Sequence, residues 1–121
     1  MSGCLTVVGL GPGDDRFLTP EARKALASAQ ALYGYGPYLD RVPLRDGQAR
    51  NPSGNRVEGT RAQVALAHAA SGAHVAMVSG GDPGVFAMAA AVCGEIEDGP
   101  EAWRALDLRI VPGITAMLAV A

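Results

Sequence analysis

Apolar residues fall in short runs separated by glycine- and proline-rich turns, and the runs alternate between two periods. Leu5 to Leu10 is a compact β-branched run, read as a first, central strand. It runs into Gly9-Leu10-Gly11-Pro12-Gly13-Asp14, a loop by its turn residues. Thr19-Pro20-Glu21 then starts a helix, with Thr at the N-cap, Pro at the first helical position and an acid in the first turn. Ala22, Ala25, Leu26 and Ala29 give that helix a narrow apolar face suited to close packing on a sheet.

Ala31-Leu32-Tyr33-Gly34-Tyr35-Gly36-Pro37-Tyr38 reads as a short strand running into an aromatic turn. Asp40 to Glu58 is polar and broken by Pro43, Gly47, Pro52 and Gly54, a loop region with room for one short strand. Val57 to Ser71 is a helix with Ala62, Ala65, Leu66 and Ala69 on one face, ending at Gly72. Val75 to Ser79 is a buried strand, followed by the turn Gly80 to Phe86 and a helix over Val85 to Ile96. Asp98-Gly99-Pro100 breaks that helix, and Leu108 to Val111 forms a last strand before Pro112-Gly113-Ile114-Thr115-Ala116. Strands alternating with helices predict an α/β fold, a parallel-sheet αβα sandwich.

Composition changes this picture little. At 121 residues the chain is one domain, or part of one, and can bury its own core. It ends inside the apolar run Met117-Leu118-Ala119-Val120-Ala121, which points to a fragment of a longer protein. A net charge of -2 gives no electrostatic support to a nucleic-acid partner. No apolar run approaches the ~20 residues of a membrane helix, and no signal peptide is visible, so a cytoplasmic setting is expected. Cys4 and Cys93 read as two buried thiols, and no metal site is expected.

Candidate chemistry gathers in three glycine turns. Gly9-Leu10-Gly11 opens a dinucleotide-type G-x-G-x-x-G, but Asp14 occupies the third glycine position. Pro20 also places the helix start several residues too late, and Gly34 and Tyr35 stand where a ribose-binding acid belongs. The turns at Gly80–Phe86 and Pro112–Ala116 share one design: backbone groups freed by Gly and Pro, plus one short polar side chain, Asp82 or Thr115. Three such loops on one edge of a parallel sheet suit an amphiphilic, nucleoside-like ligand. A nicotinamide-binding oxidoreductase and a non-catalytic interaction module remain as alternatives.

Taken together, Val8-Gly9-Leu10-Gly11-Pro12-Gly13-Asp14 with Leu18-Thr19, Ser79-Gly80-Gly81-Asp82-Pro83, and Val111-Pro112-Gly113-Ile114-Thr115-Ala116 resemble three motifs of the tetrapyrrole methylases. These are the class III S-adenosylmethionine (SAM) methyltransferases. Tyr33 to Asp40, Asn55-Arg56-Val57-Glu58 and Gly84 to Ala89 are similar to the branch acting on corrin precursors in cobalamin synthesis. Other members act on cobalt-precorrin-3 or uroporphyrinogen-III. The uroporphyrinogen enzymes carry an acid after the second strand, where this chain has Gly34.

The resemblance implies a two-domain homodimeric enzyme with SAM in the cleft between domains. Residues 1–121 would be its N-terminal domain, inactive alone, with the C-terminal domain absent from this chain. SAM contacts would fall on Pro12, Gly80, Gly81, Asp82, Val85, Thr115 and Ala116. Arginines between Arg41 and Arg61 would grip the carboxylates of a tetrapyrrole, unless each is simply a solvated surface residue. Tyr33, Tyr35, Tyr38, His68 and His74 are the available proton donors or acceptors, and no catalytic residue is assigned among them.

Overall fold

The structure is a computed structural model that describes residues 3–11, 19–43, 45–54, 58–80 and 82–112. In chain order these form β1 (Cys4–Gly9), α1 (Pro20–Ser28), β2 (Ala31–Tyr35), α2 (Gly36–Leu39) and β3 (Ala49–Ser53). There follow α3 (Glu58–Ala70), β4 (His74–Ser79), α4 (Asp82–Asp98), a 3₁₀ turn (Glu101–Ala105) and β5 (Asp107–Val111). The five strands make one parallel sheet in the order β3-β2-β4-β1-β5. The αβα sandwich read from the sequence is therefore the fold.

Alternation along the strands divides the core in two. Leu5, Val7, Tyr33, Val75 and Met77 face α3 and α4, meeting Ala62, Leu66, Val85 and Val92. Val8, Leu32, Ala76 and Val78 face the other way, against Ala22 and Leu26 of α1 and Leu39 of α2. β1 and β4 are apolar on both faces because both are covered. That likeness explains one difference from expectation: β4, not β1, holds the middle position, with β1 beside it.

Local chemistry fixes the element ends. Thr19 caps α1, its Oγ1 accepting from the Ala22 N–H at 3.0 Å. At the other end of α1, Gln48 Nε2 donates to the carbonyls of Leu26 and Ala29, both at 2.8 Å. α3 stops at Gly72, whose φ of 106° suits glycine and whose N–H returns to Ala69 O at 3.0 Å. α4 starts at Asp82, earlier than the expected Val85. A first helical turn tolerates Pro83, since its missing N–H would have had no helical acceptor, and an acid there suits the helix dipole.

One further difference follows β2, where the aromatic turn Gly36–Leu39 is one turn of helix. The one short strand expected in the polar segment is β3, an edge strand where Pro52 is acceptable because one side of the strand needs no ladder partner. The thiols also differ from expectation: Cys4 is half-buried and Cys93 exposed. On α4 the buried stripe is Val85, Met88, Ala89 and Val92, and Cys93 falls outside it.

Candidate functional site

β1 and β4 are parallel neighbours, yet the chain leaves them toward opposite faces. After β1 it passes to α1 on one side of the sheet, and after β4 to α4 on the other. The divergence opens a crevice at the carboxyl ends of the two strands, where open α/β sheets bind their ligands. The Leu10 N–H donates to Ser79 O at 2.8 Å, tying the two exits together at the crevice floor. β5 lies on the far side of β1, so Val111 and Pro112 end at the same edge.

Backbone shape is what the crevice offers. Gly11 has φ 76°, a left-handed conformation that glycine adopts without strain. Arg41, just beyond α2, holds this turn from outside, its Nη2 donating to Gly11 O at 2.8 Å and reaching Leu10 O at 3.4 Å. Gly80 leaves no room for a side chain: a Cβ there would lie 2.8 Å from Tyr38 Cε1 and 3.1 Å from its Oη.

The expected contacts divide into three sets. Gly80 stands at the crevice, and the backbone of Asp82 begins α4 beside it. Val85 is fully buried in the α3/α4 core, where its side chain serves packing. Pro12, Gly81, Thr115 and Ala116 lie outside the described residues.

Charged and phenolic groups are placed less as expected. Arg50 donates to the carbonyls of Leu39, Val42 and Pro43, and the buried Arg61 to Ser53 Oγ and Gly54 O. With Arg41 on the first turn, three of the segment's arginines donate to backbone carbonyls and brace the fold rather than standing as solvated surface residues. Arg45 is exposed, and Arg56 lies outside the described residues. Tyr33 Oη and His68 Nδ1 are 2.9 Å apart under α3, and burial raises the Tyr33 phenol pKa above its ordinary value of 10.0. His74 begins β4, at the sheet edge opposite the crevice. Tyr35 and Tyr38 remain at the carboxyl edge, ring edge against ring face with centroids 5.3 Å apart.

Three cavities lie outside the crevice. One of about 440 Å³ runs between α1 and β5 past Cys4, Thr6 and Arg109; another, of about 560 Å³, lies between Ala27–Gln30 and Arg45–Gln48. A third, of about 200 Å³, sits beside β3 at Ser53 and Arg61. None includes Gly11 or Gly80 in its lining. They share neither the switch point nor the glycine turns.

The family model of the Tetrapyrrole (Corrin/Porphyrin) Methylases matches residues 4–121. The chain belongs to that family. It is 61% identical over 121 residues to a precorrin-3B C(17)-methyltransferase of Sinorhizobium sp, covering all of this chain and 48% of the relative. The crystal structure of the methyltransferase CobJ superposes with a TM-score of 0.90 at 52% identity, over 98% of this chain and 49% of that one. A uroporphyrin-III C-methyl transferase from Thermus thermophilus, complexed with S-adenosylhomocysteine, superposes at 0.68 with 28% identity, over 98% of this chain and 48% of that one. The chain thus spans about half the length of these relatives. Membership disfavours the oxidoreductase reading, and the structure gives a reason: the Gly9–Gly11 turn does not lead directly into α1, which starts only at Pro20.

Sequence reasoning missed two contributors, Arg41 as the brace of the first turn and Tyr38 as the neighbour of Gly80. Both contacts join segments about thirty or more residues apart, which no local pattern reports.

Proposed function

We propose that residues 1–121 are the N-terminal domain of a SAM-dependent C-methyltransferase of corrin biosynthesis. In this reading the enzyme methylates C17 of precorrin-3B, with ring contraction, to give precorrin-4. The observation that carries it is the full-length match of this chain to a precorrin-3B C(17)-methyltransferase, at 61% identity. The glycine turns at the switch point fit the cofactor: Gly11 shapes the first turn, Gly80 stands at the crevice, and the start of α4 supplies backbone donors.

SAM supplies an electrophilic methyl on a positive sulfur, so the protein's main task is alignment of that methyl with the accepting ring carbon. Pro12, Gly80, Gly81, Asp82, Val85, Thr115 and Ala116 are the residues proposed to hold the cofactor, mostly through backbone groups. Arg41 fixes the first turn in place. A second domain would close the crevice from the other side, and the whole enzyme would act as a cytoplasmic homodimer with no nucleic-acid or membrane partner. The 121-residue chain alone is expected to show little or no turnover.

The test is a methylation assay on the full-length protein carrying this chain, offered precorrin-3B, cobalt-precorrin-3 and uroporphyrinogen-III in separate reactions with SAM. Mass spectrometry should find one methyl added to precorrin-3B. Methylation of uroporphyrinogen-III with precorrin-3B left untouched would overturn the substrate assignment.

A further inference from the structure

Of the five phenol or imidazole groups able to move a proton or donate a hydrogen bond, position removes three. Tyr33 and His68 are bonded to each other beneath α3, and His74 lies at the wrong end of β4. Tyr35 and Tyr38 are left at the carboxyl edge. Of these, Tyr38 is the one against the crevice, with Cζ 2.9 Å and Oη 3.1 Å from the place a Gly80 side chain would occupy. Its ring packs on the α1/α2-side core, which fixes its direction, while its hydroxyl makes no hydrogen bond among the described residues.

Strand order then says what this hydroxyl meets. The three glycine turns follow β4, β1 and β5, which are adjacent, whereas Tyr38 follows β2, on the other flank of β4. Tyr38 therefore touches the Gly80 turn from the flank away from β1 and β5, the side left to the second reactant. Resting on the methylase reading above, we infer that Tyr38 is a substrate-binding residue, its hydroxyl donating to a carboxylate or carbonyl oxygen of the methyl-accepting macrocycle. A phenol O–H can donate a hydrogen bond to such an oxygen. The same contact explains Gly80: the ring fills the space a side chain would need.

The experiment compares wild type, Tyr38→Phe, Gly80→Ala and Gly80→Ala/Tyr38→Ala in the full-length protein. S-adenosylhomocysteine affinity is read by calorimetry, and kcat and KM by turnover of precorrin-3B. Tyr38→Phe should leave S-adenosylhomocysteine affinity within about twofold while kcat/KM for the macrocycle falls about tenfold, the loss of one hydrogen bond to an anionic group. Gly80→Ala should weaken S-adenosylhomocysteine binding, and adding Tyr38→Ala should restore part of it. Unchanged kcat/KM in Tyr38→Phe, with wild-type S-adenosylhomocysteine binding intact, would overturn the role of Tyr38 alone. A wild-type protein that binds no S-adenosylhomocysteine would overturn the reading of the site and this inference with it.

Discussion

Arg41 Nη2 donates to the carbonyl of Gly11 at 2.8 Å, joining the end of α2 to the first glycine turn across thirty residues of sequence. The guanidinium thus holds a left-handed glycine in place.

Arg41→Ala removes that brace. A charge-assisted hydrogen bond is worth about 1.5–3 kcal/mol, so S-adenosylhomocysteine affinity of the full-length protein should fall by about tenfold or more. Calorimetry checks it. Equal affinity in the variant would show that the turn keeps its shape without Arg41.

Gly34 sits in β2 opposite Val78 of β4, and a Cβ there would lie 2.5 Å from Val78 Cγ2. Gly34→Asp or Gly34→Ala should therefore destabilise the fold by about 1–3 kcal/mol through overpacking. Adding Val78→Ala should recover part of the Gly34→Ala loss, as read by urea denaturation. This packing also gives a physical reason why the chain carries no acid at that position.

Tyr33 gives a pH dependence of known sign. Its folded phenol pKa is raised by burial, so the folded state holds the proton more tightly than the unfolded chain. Its stabilising contribution is complete below the unfolded value of about 10 and is lost as pH rises through the higher folded value. Tyr33→Phe should cost ~1 kcal/mol at neutral pH by breaking the contact with His68. It should also lose less stability than wild type above about pH 10. Denaturation curves from neutral to strongly alkaline pH would show parallel losses if Tyr33 were not the responsible group.

The sequence was legible where one local rule decided the outcome. Thr19-Pro20 marked the start of α1, Gly72 the end of α3, and the apolar runs at β1 and β4 the covered strands. It was less legible where competing rules were close. Pro83 read as part of a turn but is accommodated in the first turn of α4, and Ala49-Arg-Asn-Pro-Ser53 has no apolar signal because it is an edge strand. The arginines were misleading for a further reason. A long cation in a polar loop looks like a solvated residue or a ligand grip, whereas Arg41, Arg50 and Arg61 each donate to backbone carbonyls of this fold. Of the proposed cofactor contacts, Gly80 is placed at the crevice, and the backbone of Asp82 begins α4 beside it.

We propose that the carboxyl edge of β4, β1 and β5 is one half of a SAM site. Calorimetric titration of the full-length protein with S-adenosylhomocysteine and, separately, with NAD tests it most directly. The expected result is saturable binding of S-adenosylhomocysteine, weakened by Gly80→Ala, and no binding of NAD. Tight NAD binding without any response to S-adenosylhomocysteine would contradict it.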